Sequence, residues 1–180
     1  MLIHSAEHIT HLGRTLKINR ISDNPASAEA LVLTKKVDSS AKIKTKTRIM
    51  TDEIAKALSL RKFLRLSEKT MIKVGSFEIS AAETSKDMMK TNIIINSSLY
   101  FLTFVPEIFM PFSGEMTLLV PADSSYFKDD DWKIVENFIE NTNPNRIIFS
   151  GDYAQKWFSL LKNNSRATVK QEIAQQKIFD

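Results

Sequence analysis

Every histidine of the chain falls inside the octapeptide HSAEHITH, at His4, His8 and His11. Laid on a helix, these three share one face, because steps of four and three return to nearly the same angle. Imidazoles so placed can share a divalent metal ion, and Glu7, inside the spelling H-x-x-E-H, can act as a base on a metal-bound water. Short motif matches are often false, so the default reading is a polar histidine stripe beside an apolar face. Ser113 and Ser150 each precede a glycine, but the second half of the chain has no histidine to activate either. The run Asp129, Asp130 and Asp131 reads as the cap and dipole complement of a helix beginning at Trp132 rather than as a cation site.

What is missing narrows the chemistry further. There is no cysteine, which excludes a disulfide framework, thiol catalysis and thiolate zinc sites. The four glycines, at 13, 75, 114 and 151, build neither a dinucleotide fingerprint nor a phosphate-binding loop. No cofactor is implied. A ligand crevice can still lie at strand ends, near residues 121–125 or at Ser150, Gly151 and Asp152. The densest basic stretch holds Lys35, Lys36, Lys42, Lys44, Lys46 and Arg48. Spacing of two scatters these charges around a helix, so a solvated surface is the first reading and nucleic acid the functional one.

The elements that would position these residues divide the chain in two. Residues 1–90 carry 17 Lys/Arg against 10 Asp/Glu, while residues 91–180 carry 8 against 11. Only Phe63 and Phe77 among the 16 aromatic residues lie in the first half. That half reads as long helices. Ile9, Leu12 and Leu16 recur at helical spacing, Asn24 and Pro25 suit a helix start, and no Pro or Gly interrupts residues 26–74. A restart is expected at Thr51, Asp52 and Glu53, where a cap meets an acidic first turn. Leu31, Val37, Ile43, Ile54, Leu58, Phe63, Leu66 and Ile72 supply a broken apolar stripe. The second half changes period. Strands or a hairpin are expected over 92–105, further strands over 116–122 and 145–151, and helices after 129, after 152 and over 167–178. The expected fold class is α+β, with long N-terminal helices, as a helical hairpin or rod over 1–90, followed by a compact β-α-β-α module over 91–180. No basic segment leads into an apolar run at the start, so no secretory signal is expected, and no stretch reads as membrane-spanning.

Two resemblances bear on function. H-x-x-E-H on a helix is similar to the active helix of inverted zinc peptidases over about a dozen residues. The longer match covers residues 6–79 and resembles the N-terminal region of bacterial flagellins and of the hook–filament junction protein. Ile9, Leu12, Leu16, Lys17, Ile18 and Asn19 match its first part. Ser22, Asp23, Pro25 and Ala26 match its second, with Asn24 where the family usually has Asp, and TRIMTDEIAKAL is similar to a later segment. Gly13, Arg14 and Thr15 replace the usual Ser-Ser-Gly. This resemblance implies a non-enzymatic structural or assembly protein acting through helix–helix packing. Ile9, Leu12, Leu16 and Ile18 would form the interface, Asn19, Asp23, Asn24 and Pro25 would set the helix bend, and the partner would be a second copy or a flagellar protein. The alternative expectation is a soluble α/β domain binding a small ligand or nucleic acid. A metal-dependent peptidase is the third.

Overall fold

A computed structural model of the chain describes residues 1–19, 28–37, 45–164 and 170–173, with backbone alone over 162–164 and 170–173. The opening residues form strands, not a helix. β1 (Leu2–Ser5), β2 (His8–His11) and β3 (Arg14–Ile18) make an antiparallel meander. Leu12 and Gly13 join β2 to β3 with φ of 49° and 73°. Two successive positive φ values make the kind of two-residue turn whose twist suits a hairpin. In this register Ile9 pairs directly with Leu16. The seven-residue step that mimics two helical turns is therefore a cross-strand pair, and Leu16 to Ile18 continues at the strand period of two. Ile9, Leu16 and Ile18 are fully buried, whereas Leu12, at the turn, is 80% exposed.

The flagellin resemblance and the expected rod are thus overturned. Where one long helix was expected, β4 (Ala30–Leu33), β5 (Arg48–Met50) and β6 (Leu64–Arg65) follow β3 in parallel, closing a six-stranded sheet in the order β1-β2-β3-β4-β5-β6. The start signal at Thr51 does begin a helix, α1 (Asp52–Ala57), and the Thr51 hydroxyl accepts from the Ile54 amide at 3.3 Å. It lasts six residues. Leu31, Leu33, Met50, Ile54 and Ala55 pack together, with Val37, Leu58 and Phe63 against them. Five residues read as one helical stripe, Leu31, Val37, Ile54, Leu58 and Phe63, are instead gathered from a strand, a helix and loops on one face of this sheet, while Leu66 and Ile72 join the other core. The bend residues Asp23, Asn24 and Pro25, with Lys42, Ile43 and Lys44, lie outside the described residues.

The second sheet runs β13-β12-β11-β10-β9-β8-β7. Its members are β7 (Met71–Val74), β8 (Phe77–Thr84), β9 (Thr91–Ile95), β10 (Leu99–Phe101), β11 (Thr117–Pro121), β12 (Arg146–Ser150) and β13 (Lys170–Ile173). From β7 to β10 neighbours are antiparallel, and from β10 to β13 they are parallel. Helix α2 (Trp132–Thr142) links β11 to β12, and α3 (Ala154–Asn164) links β12 towards β13. A final strand therefore stands at 170–173 where a helix was expected. Asp131 occupies the N-cap position of α2 without a side-chain bond to the helix; its carboxylate accepts from the Lys128 amide at 2.7 Å.

The two sheets face each other across one core. Ile9, Leu16, Ile18, Val32 and Ile49 from the first sheet join Phe77, Ile79, Ile93, Phe101, Leu119 and Ile148 from the second. Helix α1 covers the far side of the first sheet. Val135, Phe138 and Ile139 of α2, and Trp157 and Leu161 of α3, extend the same core on the far side of the second, where Phe138 lies 6.0 Å from the ring of Tyr100. Each large side chain removed from water here contributes roughly 1.5–3 kcal/mol. The shift in composition near residue 90 falls in the turn between β8 and β9, which are paired neighbours.

Candidate functional site at the carboxyl ends of the strands

Parallel strands end together. β3, β4 and β5 deliver Asn19, Thr34, Lys35 and Thr51 to one edge of the first sheet, and β10, β11 and β12 deliver Thr103, Asp123 and Gly151 to one edge of the second. Hydrogen bonds show that the two edges form a single rim. The Thr103 and Thr34 hydroxyls are 3.0 Å apart. The Thr91 amide donates to the Thr34 carbonyl at 2.8 Å. From the β1–β2 turn, the Ala6 amide donates to the Ser150 hydroxyl at 3.1 Å. Carboxyl ends of parallel strands are where open α/β sheets receive ligands.

At the centre of the rim is a polar network held by Asn19. Its backbone takes φ of 53°, a left-handed conformation that asparagine tolerates better than most residues. Its carbonyl oxygen accepts from the Thr34 amide at 2.7 Å, and its amide nitrogen donates to the Thr34 hydroxyl at 2.6 Å and to the Tyr126 hydroxyl at 2.8 Å. The Tyr126 hydroxyl in turn donates to the Glu7 carboxylate. Burial, then the Glu7 charge, pushes the Tyr126 phenol well above its ordinary range. Lys35 lies across the face of this tyrosine. Its ammonium is 3.6 Å from the ring centroid and donates to the Ser125 carbonyl at 2.5 Å. Burial lowers the affinity of Lys35 for its proton, Asp123 and Glu7 oppose this, and Lys90 adds to it.

A second network braces the rim beside it. Asn92, fully buried, accepts from the Thr103 amide at 2.7 Å and the Phe104 amide at 3.2 Å, and donates to the Phe104 carbonyl at 3.0 Å. The Tyr100 hydroxyl donates to Glu83, and burial followed by that carboxylate's charge raises the phenol's proton affinity. Outside this brace opens a cleft of about 680 Å³, lined by Glu68, Glu83–Asp87, Lys90 and Phe104–Ile108.

The residues singled out in sequence are only partly brought together. His4 and His8 stand side by side, with ring centroids 4.5 Å apart, and His4 Nε2 is 3.0 Å from the Thr10 hydroxyl. His11 alternates to the face of Ile9 and lies 6.2 Å from the ring of Phe77. The H-x-x-E-H segment is a hairpin, so the helical metal triad is not formed, and Glu7 is engaged by Tyr126. Ile9, Leu16 and Ile18 serve as core. Ser150, Gly151 and Asp152 do lie at a strand end, but as a tight turn. Gly151 has φ of 101°, and a Cβ there would meet the Ala122 carbonyl oxygen at 2.8 Å. Asp129 pairs with Lys156 at 2.5 Å, and its carbonyl accepts from the Trp157 indole at 3.0 Å. Sequence reasoning located the strand ends at 121–125 and 150–152 and missed Asn19, Thr34, Asn92, Thr103 and Tyr126 as a constellation, because their spacing carries no motif.

No protein-family model matches the sequence, and no curated protein matches it. Solved structures do. A candidate metal-dependent hydrolase from Parabacteroides distasonis is 12% identical, with 92% of this chain and 87% of that one covered and a TM-score of 0.55. A candidate Zn-dependent hydrolase of the metallo-β-lactamase superfamily from Thermotoga maritima is 13% identical, with 92% and 93% covered and a TM-score of 0.50. The fold is metallo-β-lactamase-like. This likeness replaces the helical structural-protein reading with a two-sheet sandwich flanked by helices. The fold's relatives imply a bound metal, and the donors decide whether one fits. A catalytic zinc needs about three converging nitrogen, oxygen or sulfur ligands. Among the described residues no three His, Cys, Asp or Glu side chains come together to hold an ion. The donor set of the described residues does not fit a metal-hydrolase centre.

Proposed function

We propose that this chain is a binding protein for small organic ligands that carry a positive charge, received in the cleft beside the rim. The carrying observation is the composition of that cleft. Phe104, Val105, Pro106 and Ile108 offer an apolar wall, and four carboxylates, Glu68, Glu83, Asp87 and Glu107, face two ammonium groups, Lys86 and Lys90. Lys86 is already paired with Glu107 at 2.6 Å. The remaining excess of negative charge favours an amine over an acid, and the apolar wall favours an organic body on that amine. A volume of about 680 Å³ is within the range of small-molecule sites.

Thermal-shift and ligand-observed NMR measurements with a panel of aliphatic and aromatic amines, carboxylates, phosphate esters and a short single-stranded oligonucleotide test this reading. Amines are expected to bind. Glu68→Gln/Glu107→Gln, which changes two exposed carboxylates, is expected to weaken them about five- to tenfold, on the order of 1 kcal/mol. Preferential binding of carboxylates, phosphates or the oligonucleotide would overturn it, as would a panel with no binder. Hydrolysis is the second reading, favoured by the fold shared with the two candidate hydrolases from Parabacteroides distasonis and Thermotoga maritima. Chelator-sensitive turnover of chromogenic esters would support it, and no turnover in metal-supplemented buffer would remove it.

A further inference from the structure

We infer that the rim of this metallo-β-lactamase-like fold works without a bound transition metal and that the ammonium of Lys35 is its fixed cation. This goes beyond the ligand reading and does not depend on what the neighbouring cleft binds.

An ion held by a protein needs side-chain oxygens or nitrogens whose lone pairs converge on it. Among the described residues, one oxygen of each rim carboxylate is already taken by the protein's own donors. The Glu7 carboxylate accepts from the Tyr126 hydroxyl. The Asp123 carboxylate accepts from the Ser125 amide at 2.8 Å and the Ser125 hydroxyl at 2.5 Å. The Asn19 carboxamide accepts from a backbone amide and donates to two hydroxyls. What faces these acids is a cation supplied by the chain. Lys35 donates to the Ser125 carbonyl, covers the Tyr126 ring, and interacts electrostatically with both Asp123 and Glu7. An ammonium over an aromatic face, with two carboxylates acting on it at longer range, is an electrostatically matched arrangement. It also repels a divalent cation from the same space. The other cationic group acting on Lys35 is Lys90, whose backbone bridges that of Lys35, and this adds to the repulsion.

Two measurements on the full chain test the inference. The first is metal content after expression in zinc- and manganese-supplemented medium and dialysis, with a thermal shift against each ion. The result expected is substoichiometric metal and an unchanged melting temperature. Binding confined to the adjacent His4 and His8 imidazoles is lost in His4→Ala/His8→Ala and leaves the inference standing. Stoichiometric metal that survives this double substitution overturns it. The second is a mutant cycle. Lys35→Met keeps an apolar stem and removes the charge, so its melting temperature is expected to fall. In a Glu7→Gln/Asp123→Asn background, where hydrogen bonding is kept and the negative charges are gone, the same substitution is expected to cost less than half as much. An equal cost in both backgrounds means that Lys35 acts only by packing and overturns its role as the counter-charge.

Discussion

At the scale of single residues, the rim is built from groups that are costly to leave unpaired. Asn92 satisfies the Thr103 and Phe104 amides and the Phe104 carbonyl from a fully buried position. Asn92→Ala removes one side chain and strands three backbone groups, so it is expected to cost about 3 kcal/mol in urea unfolding. Tyr100 and Tyr126 bind their protons more tightly in the folded chain than in the unfolded one. Their contribution is therefore fully present below about pH 10 and is lost as pH rises beyond it. The urea midpoint is expected to decline above about pH 10, and to decline less in Tyr100→Phe/Tyr126→Phe. Little of this site was legible in advance. Asparagine, threonine and tyrosine are ordinary residues, and the bonds from Asn19 to Tyr126 and from Ala6 to Ser150 span sequence distances that no motif covers. The histidines drew attention because imidazole is chemically distinctive, yet their strand places His11 on the opposite face from His8.

Elements explain why one half was legible and the other was not. In the second half, α2 and α3 are amphipathic helices that follow the apolar strands β11 and β12, and their periods are long enough to read; the polar strand β13, KQEI, was not legible. In the first half, β1 to β6 are only two to five residues long, too short for period two to assert itself, and hairpin register produced the seven-residue spacing of Ile9 and Leu16. The informative signal was Gly13, which is half of a turn. Leu12 beside it holds a left-handed backbone with its side chain in water. Leu12→Asn is expected to stabilise the chain by roughly 0.5–1 kcal/mol, visible as a higher melting temperature. Gly151→Ala acts in the opposite direction. It forces a Cβ onto the Ala122 carbonyl at the junction of β11 and β12, and is expected to cost about 2 kcal/mol or more in the same assay.

For the whole molecule, the shared core decides cooperativity. Side chains from β2, β3, β4 and β5 pack into the same cluster as those from β8 to β12, so calorimetry is expected to give a single transition. Cutting after residue 90 separates β8 from β9, and neither fragment is expected to show dispersed amide resonances alone; mixing the two is expected to restore them. The β1–β2 turn gives this connectivity a temporal consequence. Ala6 leaves the ribosome 144 residues ahead of Ser150, and Glu7 119 residues ahead of Tyr126. Until Tyr126 and Ser150 follow, the Glu7 carboxylate has no phenol to receive and the hairpin has no edge to close against. This part of the rim is thus a late product of synthesis: a chain halted before residue 126 can join Thr34 to Thr91 and Thr103, but has none of the bonds that tie the β1–β2 turn to Tyr126 and Ser150.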